Sequence, residues 1–431
     1  MAKILFIVAP ELGHLNPSVG IAKGLASRGH RVIFAGTKNA EEMIRAHGFE
    51  FEQVLKNIFP DGIPKPVGLS PIHNLLNGRR FALDFTRALA DPGNFLELFS
   101  SNFDLCIVDY EMPYCALYAH KFKVPTIMLN TSLPFYPDLM VPPITTSLVP
   151  EDNFISRMKV GLAWTKVLAT AEISDRGQMM IGLPYPPGWV KQLAARCGFP
   201  LDRIQRKTGR LPRLDLPEIV LAPPSFDFPR ANGSPLTKYV GASLDLVRKQ
   251  PDFPWDQLAE GKPIILCTLG SKPEECKSYR KFFDSVLQGV GQDPRWQLVV
   301  GAGKFVDEFE ATAGRAIVVR FAPQLDLLKR ASLMITHAGM NSVQECIHFG
   351  VPMLAFPVRW DQPGNAARVT YHGIGRSSDI SKVTPSAVAK LVEELMTEPR
   401  YRTRMTEMSN EFAKYRGIET AIELIETELR A

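Results

Sequence analysis

The sequence predicts an α/β fold of two Rossmann-like domains facing a central cleft. Three observations predict it. The chain has 431 residues, long for one domain of about 100–200. In both halves, short continuous apolar runs alternate with helical stretches, as in parallel sheets whose strands are buried on both faces. The two alternating blocks flank an irregular centre, between Pro134 and Pro254, which holds about half of the 35 prolines.

In chain order, Lys3–Ala9 reads as a buried strand, Pro10–Pro17 as a loop, and Ser18–Arg28 as a helix stopped by Gly29. Val32–Ala35 (strand), Ala40–His47 (helix) and Phe49–Phe51 (strand) continue the alternation, hence a right-handed parallel sheet. Leu105–Asp109 is a further strand, Pro113–Lys121 a helix and Thr126–Leu129 a strand. The rhythm then breaks at three Pro-Pro pairs, with one helical block at 151–178; long irregular segments in compact domains usually carry function. It restarts at Glu218–Ala222 and Lys238–Gly241. Strands follow at Ile264–Leu269, Gln297–Val300, Ile317–Arg320, Leu333–Thr336 and Met353–Phe356, and the tail is helical. The expected division is 1–222 for the first domain (irregular insertion 134–215), 223–255 for a linker, 256–405 for the second domain, and 406–431 for a helical tail packing back on the first. The ligand crevice of such folds lies at the carboxyl ends of the strands.

Composition narrows the function. A net charge of +5 is mild for this length and does not argue for a nucleic-acid binder. The densest basic patch, Arg203, Arg206, Lys207, Arg210 and Arg213, is flanked by Asp202 and Asp215 and reads as solvated surface. The six cysteines have no C-x-x-C spacing, so reduced thiols in a cytoplasmic protein are expected, without a disulfide framework or zinc site. The first ten residues do not read as a signal peptide. No apolar stretch approaches a membrane span, so no stable membrane insertion is expected. A monomer is the default.

The strongest chemical signal runs from His337-Ala-Gly339-Met-Asn341-Ser342-Val-Gln-Glu345 through Gly350-Val-Pro352 and Pro357 to Asp361-Gln362-Pro-Gly-Asn365-Ala366. A strand ends at His337 and a helix starts near Asn341-Ser342. A helix N-terminus offers unpaired N–H groups and a positive dipole end, an anion site suited to phosphate. One turn on, Glu345 can accept from vicinal ribose hydroxyls. Asp361 and Gln362, an acceptor beside an amide, suit sugar hydroxyls.

This block resembles the nucleotide-sugar signature of glycosyltransferase family 1, closest to its bacterial natural-product (macrolide-type) branch. Phe321-Ala-Pro323-Gln324, Thr268-Leu-Gly270-Ser271 and Tyr239-Val-Gly241 resemble further landmarks of that family. The resemblance covers both α/β halves and leaves 134–215 without motifs. It implies a GT-B fold, a UDP- or TDP-sugar as co-substrate, and donor contacts at Gly13, Gly270, Ser271, Phe321, Gln324, His337, Gly339, Asn341, Ser342, Glu345, Asp361 and Gln362. Phe321 would stack on the base, His337 and Ser342 would hold the pyrophosphate, Glu345 the ribose, and Asp361 and Gln362 the sugar. Phe321 stands where many plant members have tryptophan, which leaves uracil versus thymine open.

His14 lies at the carboxyl end of the first strand, and Asp109 ends another strand of the same sheet. A carboxylate on one imidazole nitrogen fixes the tautomer and raises the basicity of the other, which can then take an acceptor's hydroxyl proton. The resemblance gives these residues the same roles, base and partner. Asp104 should lie at the far end of its strand; Glu111 could compete with Asp109. No D-x-D triplet occurs, so no metal or cofactor is expected, and a helix N-terminus, His337 and hydroxyls would stabilise the leaving diphosphate. Phe81, Phe85, Phe95, Phe99, Met112, Phe135, Tyr136 and Met140 are candidates for an apolar acceptor pocket. The expected reaction is inverting transfer of a hexose, glucose in first place, to a hydroxyl of a lipophilic polyketide, phenolic or terpenoid. The alternatives are a nucleotide-sugar epimerase, a silent binding subunit, and a glycolipid- or sterol-type transferase docking through residues 203–213.

Overall fold

The computed structural model describes residues 1–56, 59–62, 91, 93–180, 189–205, 212–270, 276–310 and 314–430. The first half contains β1 (Lys3–Ile7), α1 (Leu12–Ser27), β2 (Arg31–Gly36), α2 (Glu41–Ala46), β3 (Glu50–Gln53), α3 (Gly93–Phe99), β4 (Leu105–Asp109), α4 (Pro113–Lys121), β5 (Thr126–Asn130), α5 (Phe154–Met180) and α6 (Trp189–Arg196). A two-strand antiparallel ladder, β6 (Ile204–Gln205) with β7 (Arg213–Leu214), precedes β8 (Glu218–Val220) and β9 (Thr237–Tyr239). The second half contains β10 (Ile264–Thr268), α7 (Tyr279–Gly289), β11 (Gln297–Gly301), α8 (Val306–Glu310), β12 (Ile317–Val319), α9 (Gln324–Leu328), β13 (Ala331–Thr336), α10 (Met340–Phe349), β14 (Met353–Ala355), α11 (Gln362–Tyr371), β15 (Gly375–Ser377), α12 (Pro385–Thr397), α13 (Pro399–Ala413) and α14 (Gly417–Glu428).

These strands form two parallel sheets, in the orders β3-β2-β1-β4-β5-β8-β9 and β12-β11-β10-β13-β14-β15. The central strands are buried along their length, which is why KILFI, LCIVD and IILCT read as continuous apolar runs. Each sheet therefore has a core on both faces: Leu5, Val108 and Cys106 on one side of the first and Ile4, Phe6 and Ile107 on the other. The fold is GT-B, two Rossmann-like domains, as the sequence predicts.

Three expectations need correction. First, the first domain does not end at residue 222. β8 and β9 complete the first sheet, pairing Met128 with Glu218 and Ile219 with Lys238. They lie far in sequence from β5 because parallel strands need crossovers, and this crossover contains the irregular insertion. The expected linker 223–255 therefore contains a strand of the first sheet. Second, the tail crosses back later than residue 406, where the sequence reading began it. α13 stays with the second domain, burying Met405, Met408 and Phe412 in its core, and only α14 crosses back. Gly20 and Gly24 of α1 leave room for Ile418 and Ile422, and Arg28 pairs with Glu419 (2.6 Å) and Glu426 (3.0 Å).

Third, Pro10–Pro17 is not a loop. α1 starts at Leu12, with the His14 and Leu15 N–H groups donating to Glu11 O (2.9 and 3.0 Å). Proline at 17 removes one helical donor, to the carbonyl of Gly13. That carbonyl instead accepts from Asn341 Nδ2 of the opposite domain at 3.3 Å, so the local cost is offset across the cleft.

The domains meet closely. Gln344 Nε2 donates to Leu221 O (2.6 Å), and the Gly364 N–H to Ile144 O (2.7 Å). Fully buried Arg368 donates to Asp227 through Nε and Nη2 (3.0 and 2.5 Å). Burial alone would raise the Asp227 carboxyl; Arg368 and Arg230 outweigh it and hold it below the usual range. All six cysteines are free and buried, and among the described residues no helix is long and apolar enough to cross a membrane.

Candidate active site

The His14–Asp109 pair is built by three adjacent strands. β1, β4 and β5 are neighbours and parallel, so their carboxyl ends share one edge. Asp109 ends β4, is 1% exposed, and is oriented by the N–H of Glu111 on Oδ1 (3.0 Å) and of Ala9 on Oδ2 (3.4 Å). His14, in the first turn of α1, places Nδ1 at 2.7 Å from Asp109 Oδ2. The second ring nitrogen, Nε2, is then the one left to act on a ligand. Burial lowers the imidazole pKa, but the charge and hydrogen bond of Asp109 outweigh it and push it up to about 10, with Glu111 and Glu11 adding to the rise.

Glu111 competes for the other nitrogen, not for Nδ1: its Oε2 lies 3.9 Å from His14 Nε2, and burial raises its carboxyl above the usual range. Asp104 sits at the opposite end of β4, where its carboxylate accepts from the Lys3 N–H at 2.7 Å. The sequence reading missed Thr131, whose Oγ1 is 3.1 Å from His14 Nδ1, and Ser132. Both follow β5, and Asn130 shapes their turn by accepting from the Ser132 N–H (3.0 Å). Their position after a strand adjoining that of Asp109 was the signal available.

Across the cleft, β13 ends at Thr336 and α10 begins at Met340. Ala338 between them has φ +62, and Trp360, just before Asp361, has φ +57. A non-glycine residue at positive φ stores about 1–3 kcal/mol and persists only where its surroundings over-determine it. The His337 ring is gripped by two glycines. A Cβ on Gly270 (φ +82) would lie 2.6 Å from His337 Cε1, and one on Gly339 would lie 2.7 Å from Nε2. Burial drives the His337 pKa down to about 4. Its Nδ1 is buried with no partner among the described residues, an expensive state unless a ligand relieves it. The first-turn N–H groups of α10 have no intrahelical acceptor. Asn341 and Ser342 stand in that turn, with Gly339 as N-cap.

Glu345, 2% exposed, is already paired: Oε2 accepts from Gln324 Nε2 (2.6 Å) and Oε1 from Arg248 Nη1 (2.7 Å). Gln324 also reaches Ser342 Oγ (3.2 Å), and Phe321 beside it is 54% exposed. Arg248 comes from the segment joining the domains, where nothing in the sequence marked it.

Asp361 precedes α11. Its Oδ2 accepts from Ser132 Oγ (2.9 Å) and Asn365 Nδ2 (3.0 Å), so it touches the domain that holds His14. Gln362 Oε1 accepts from the N–H groups of Val358 (2.9 Å) and Arg359 (3.0 Å), which leaves its amide hydrogens as donors. Gly364 lets α11 approach the first domain. A Cβ there would lie 2.5 Å from Ile144 O. Gly364→Ala is expected to cost about 1–3 kcal/mol of stability, read as a lower urea midpoint, and to displace Asp361. An unchanged midpoint would show that the interface yields freely.

The acceptor candidates separate. Tyr136 is buried between the guanidinium groups of Arg213 and Arg230 (4.8 and 4.7 Å from its ring centroid), so it serves the fold. Met112, Phe95 and Phe99 lie in the first-domain core. Phe135 is partly buried beside Trp164, ring centroids 5.3 Å apart. Phe81, Phe85 and the donor candidate Ser271 lie outside the described residues, as do Arg206, Lys207 and Arg210. Among the described residues no group of three or more His, Cys, Asp or Glu could hold a metal ion.

Residues 261–419 match the family described as UDP-glucoronosyl and UDP-glucosyl transferase. Over 445 aligned residues the chain is 27% identical to zeaxanthin glucosyltransferase of Pantoea ananas, covering 99% of this chain and 96% of that protein. It is 25% identical to 4'-demethylrebeccamycin synthase of Lentzea aerocolonigenes, covering 99% of each. Among solved structures, the glycotransferase of kitacinnamycin superposes with a TM-score of 0.70 at 22% identity, covering 99% of each chain. Glycosyltransferase VinC in complex with DTDP superposes with 0.67 at 18% identity, covering 100% of each. With the donor motif, two-domain fold and full-length relatives in agreement, the chain is a glycosyltransferase similar to those of glycosyltransferase family 1.

Proposed function

We propose that this enzyme transfers a hexose, glucose in first place, from a UDP- or TDP-sugar to a hydroxyl of a lipophilic small molecule, with inversion and without a metal. The observation that carries the proposal is the His14–Asp109 pair at 2.7 Å, joined to the opposite domain through the Ser132–Asp361 hydrogen bond at 2.9 Å. In this reading the acceptor O–H gives its proton to His14 Nε2 as the oxygen bonds to the anomeric carbon. The bond from that carbon to the diphosphate breaks, and the nucleotide leaves with the electron pair. The α10 N-terminus, Ser342 and neutral His337 stabilise the charge that develops on the diphosphate. Asp361 and Gln362 hold the sugar, and Phe321 stacks on the base. Relatives named for zeaxanthin and oleandomycin support a natural-product acceptor.

The test incubates the enzyme with UDP- or TDP-glucose and a panel of phenolic, polyketide and terpenoid alcohols, read by mass spectrometry. One hexosyl residue added to an acceptor is the expected result. A sugar epimerised on the nucleotide without any acceptor would overturn the reading.

Two expectations follow from the donor side. Glu345 must exchange Arg248 for the ribose hydroxyls, so Glu345→Ala is expected to weaken UDP binding by about 1.5–3 kcal/mol. Unchanged calorimetric affinity would move the ribose elsewhere. EDTA should leave the transfer rate unaltered; a loss restored by added Mg²⁺ or Mn²⁺ would contradict the metal-free reading.

A further inference from the structure

Among the described residues the longest helix presents two apolar faces, and only one is covered by them. On α5, Ser156, Val160 and Trp164 are buried, and Trp164 Nε1 donates to Val141 O at 2.8 Å. On the opposite side, Phe154 (76% exposed), Ile155 (65%), Met158 (60%), Leu162 (71%) and Ile173 (70%) face solvent. At the helical advance per residue Phe154, Ile155, Met158 and Leu162 fall within an arc of about 100°, one continuous stripe; Glu172 shares that arc and separates Ile173 from it. Single exposed apolar side chains are ordinary; a row of four large ones along one helix marks a contact surface.

The flanking charges identify the partner. Over the stripe, from Phe154 to Leu162, the helix carries Arg157 and Lys159 and no acid; Lys166 follows one turn on, and the acids Glu172 and Asp175 lie nearer the helix end. Lys159 and Lys166 are exposed and lie along one border of the stripe, and Arg157 lies on the other, where it pairs with Asp152 at 2.9 Å. A second copy of this helix would bring like charges together. An anionic bilayer complements both features: acyl chains for the stripe and headgroups for the lysines. We infer that α5 lies flat in the surface of an anionic membrane and docks the enzyme there. The docking does not depend on the transfer reaction. The inner face of the same helix packs on the loop of Phe135 and Val141, downstream of Thr131 and Ser132, so the membrane would lie on the first-domain side of the cleft.

The test is flotation of the full-length protein, without substrates, with vesicles of phosphatidylcholine alone or mixed with phosphatidylglycerol. Binding to the mixed vesicles, weakened by salt and much weaker on phosphatidylcholine alone, is expected. The M158E/L162E double variant should lose at least about tenfold in apparent affinity, and so should K159E/K166E. Both should keep the wild-type melting temperature and nucleotide affinity. Absence of wild-type binding to anionic vesicles would overturn the proposal, and so would wild-type binding by M158E/L162E. A concentration-dependent dimer that M158E/L162E abolishes, with no vesicle binding, would assign the face to a second copy and overturn it equally.

Discussion

His14→Ala is expected to keep nucleotide affinity and to lose at least about a hundredfold in transfer, the low end for general-base catalysis. The imidazole sits on the first-domain side of the cleft, and its partners there are Asp109, Thr131 and Glu111, none of them among the donor contacts. Its removal should therefore leave binding of UDP by α10 and its neighbours intact. What is lost is a proton acceptor positioned before the reaction begins. Calorimetry with UDP and steady-state transfer, made on the same preparation, separate the two effects. Near-normal turnover would remove His14 from the mechanism.

Asp109→Asn is expected to change the shape of the pH profile as well as its height. In the wild type Asp109 raises the His14 pKa against the effect of burial, up to about 10. The neutral, reactive form of His14 therefore becomes more abundant as pH rises, and the rate should climb through the alkaline range toward that value. Asparagine removes the charge. Burial then acts with less opposition, so the acid limb should move to lower pH, toward or below about 6.5. A less basic imidazole, with its tautomer no longer fixed, gives a lower plateau. The loss there is bounded by the full general-base contribution, about a hundred- to ten-thousand-fold. It should narrow at low pH, where the wild-type imidazole is mostly protonated. Two parallel profiles with the same limb would show that Asp109 does not set the ionisation of His14.

Most of the fold was legible because parallel sheets leave a strong trace. A strand covered on both faces must be apolar throughout, and Ile4–Ile7, Leu105–Val108 and Ile264–Cys267 are. The same topology made the pair legible: His14 and Asp109 both follow strands of one sheet, and parallel strands end on one side. Contributions from distant chain were not legible. Pro17 looked like a helix breaker because its compensation is Asn341, 324 residues away. β9 looked like linker because the crossover before β8 and β9 is long and irregular. Arg248 and Ser132 were invisible as site residues. The partner that gives each its meaning, Glu345 or Asp361, lies in the other domain.

The central claim is direct displacement at the anomeric carbon by an acceptor oxygen that His14 deprotonates. The most direct measurement is the anomeric configuration of the product, read by proton NMR from the coupling between the first two ring positions, with an α-linked UDP- or TDP-glucose as donor. The account predicts a β-glycoside with a large diaxial coupling. An α-glycoside would contradict it.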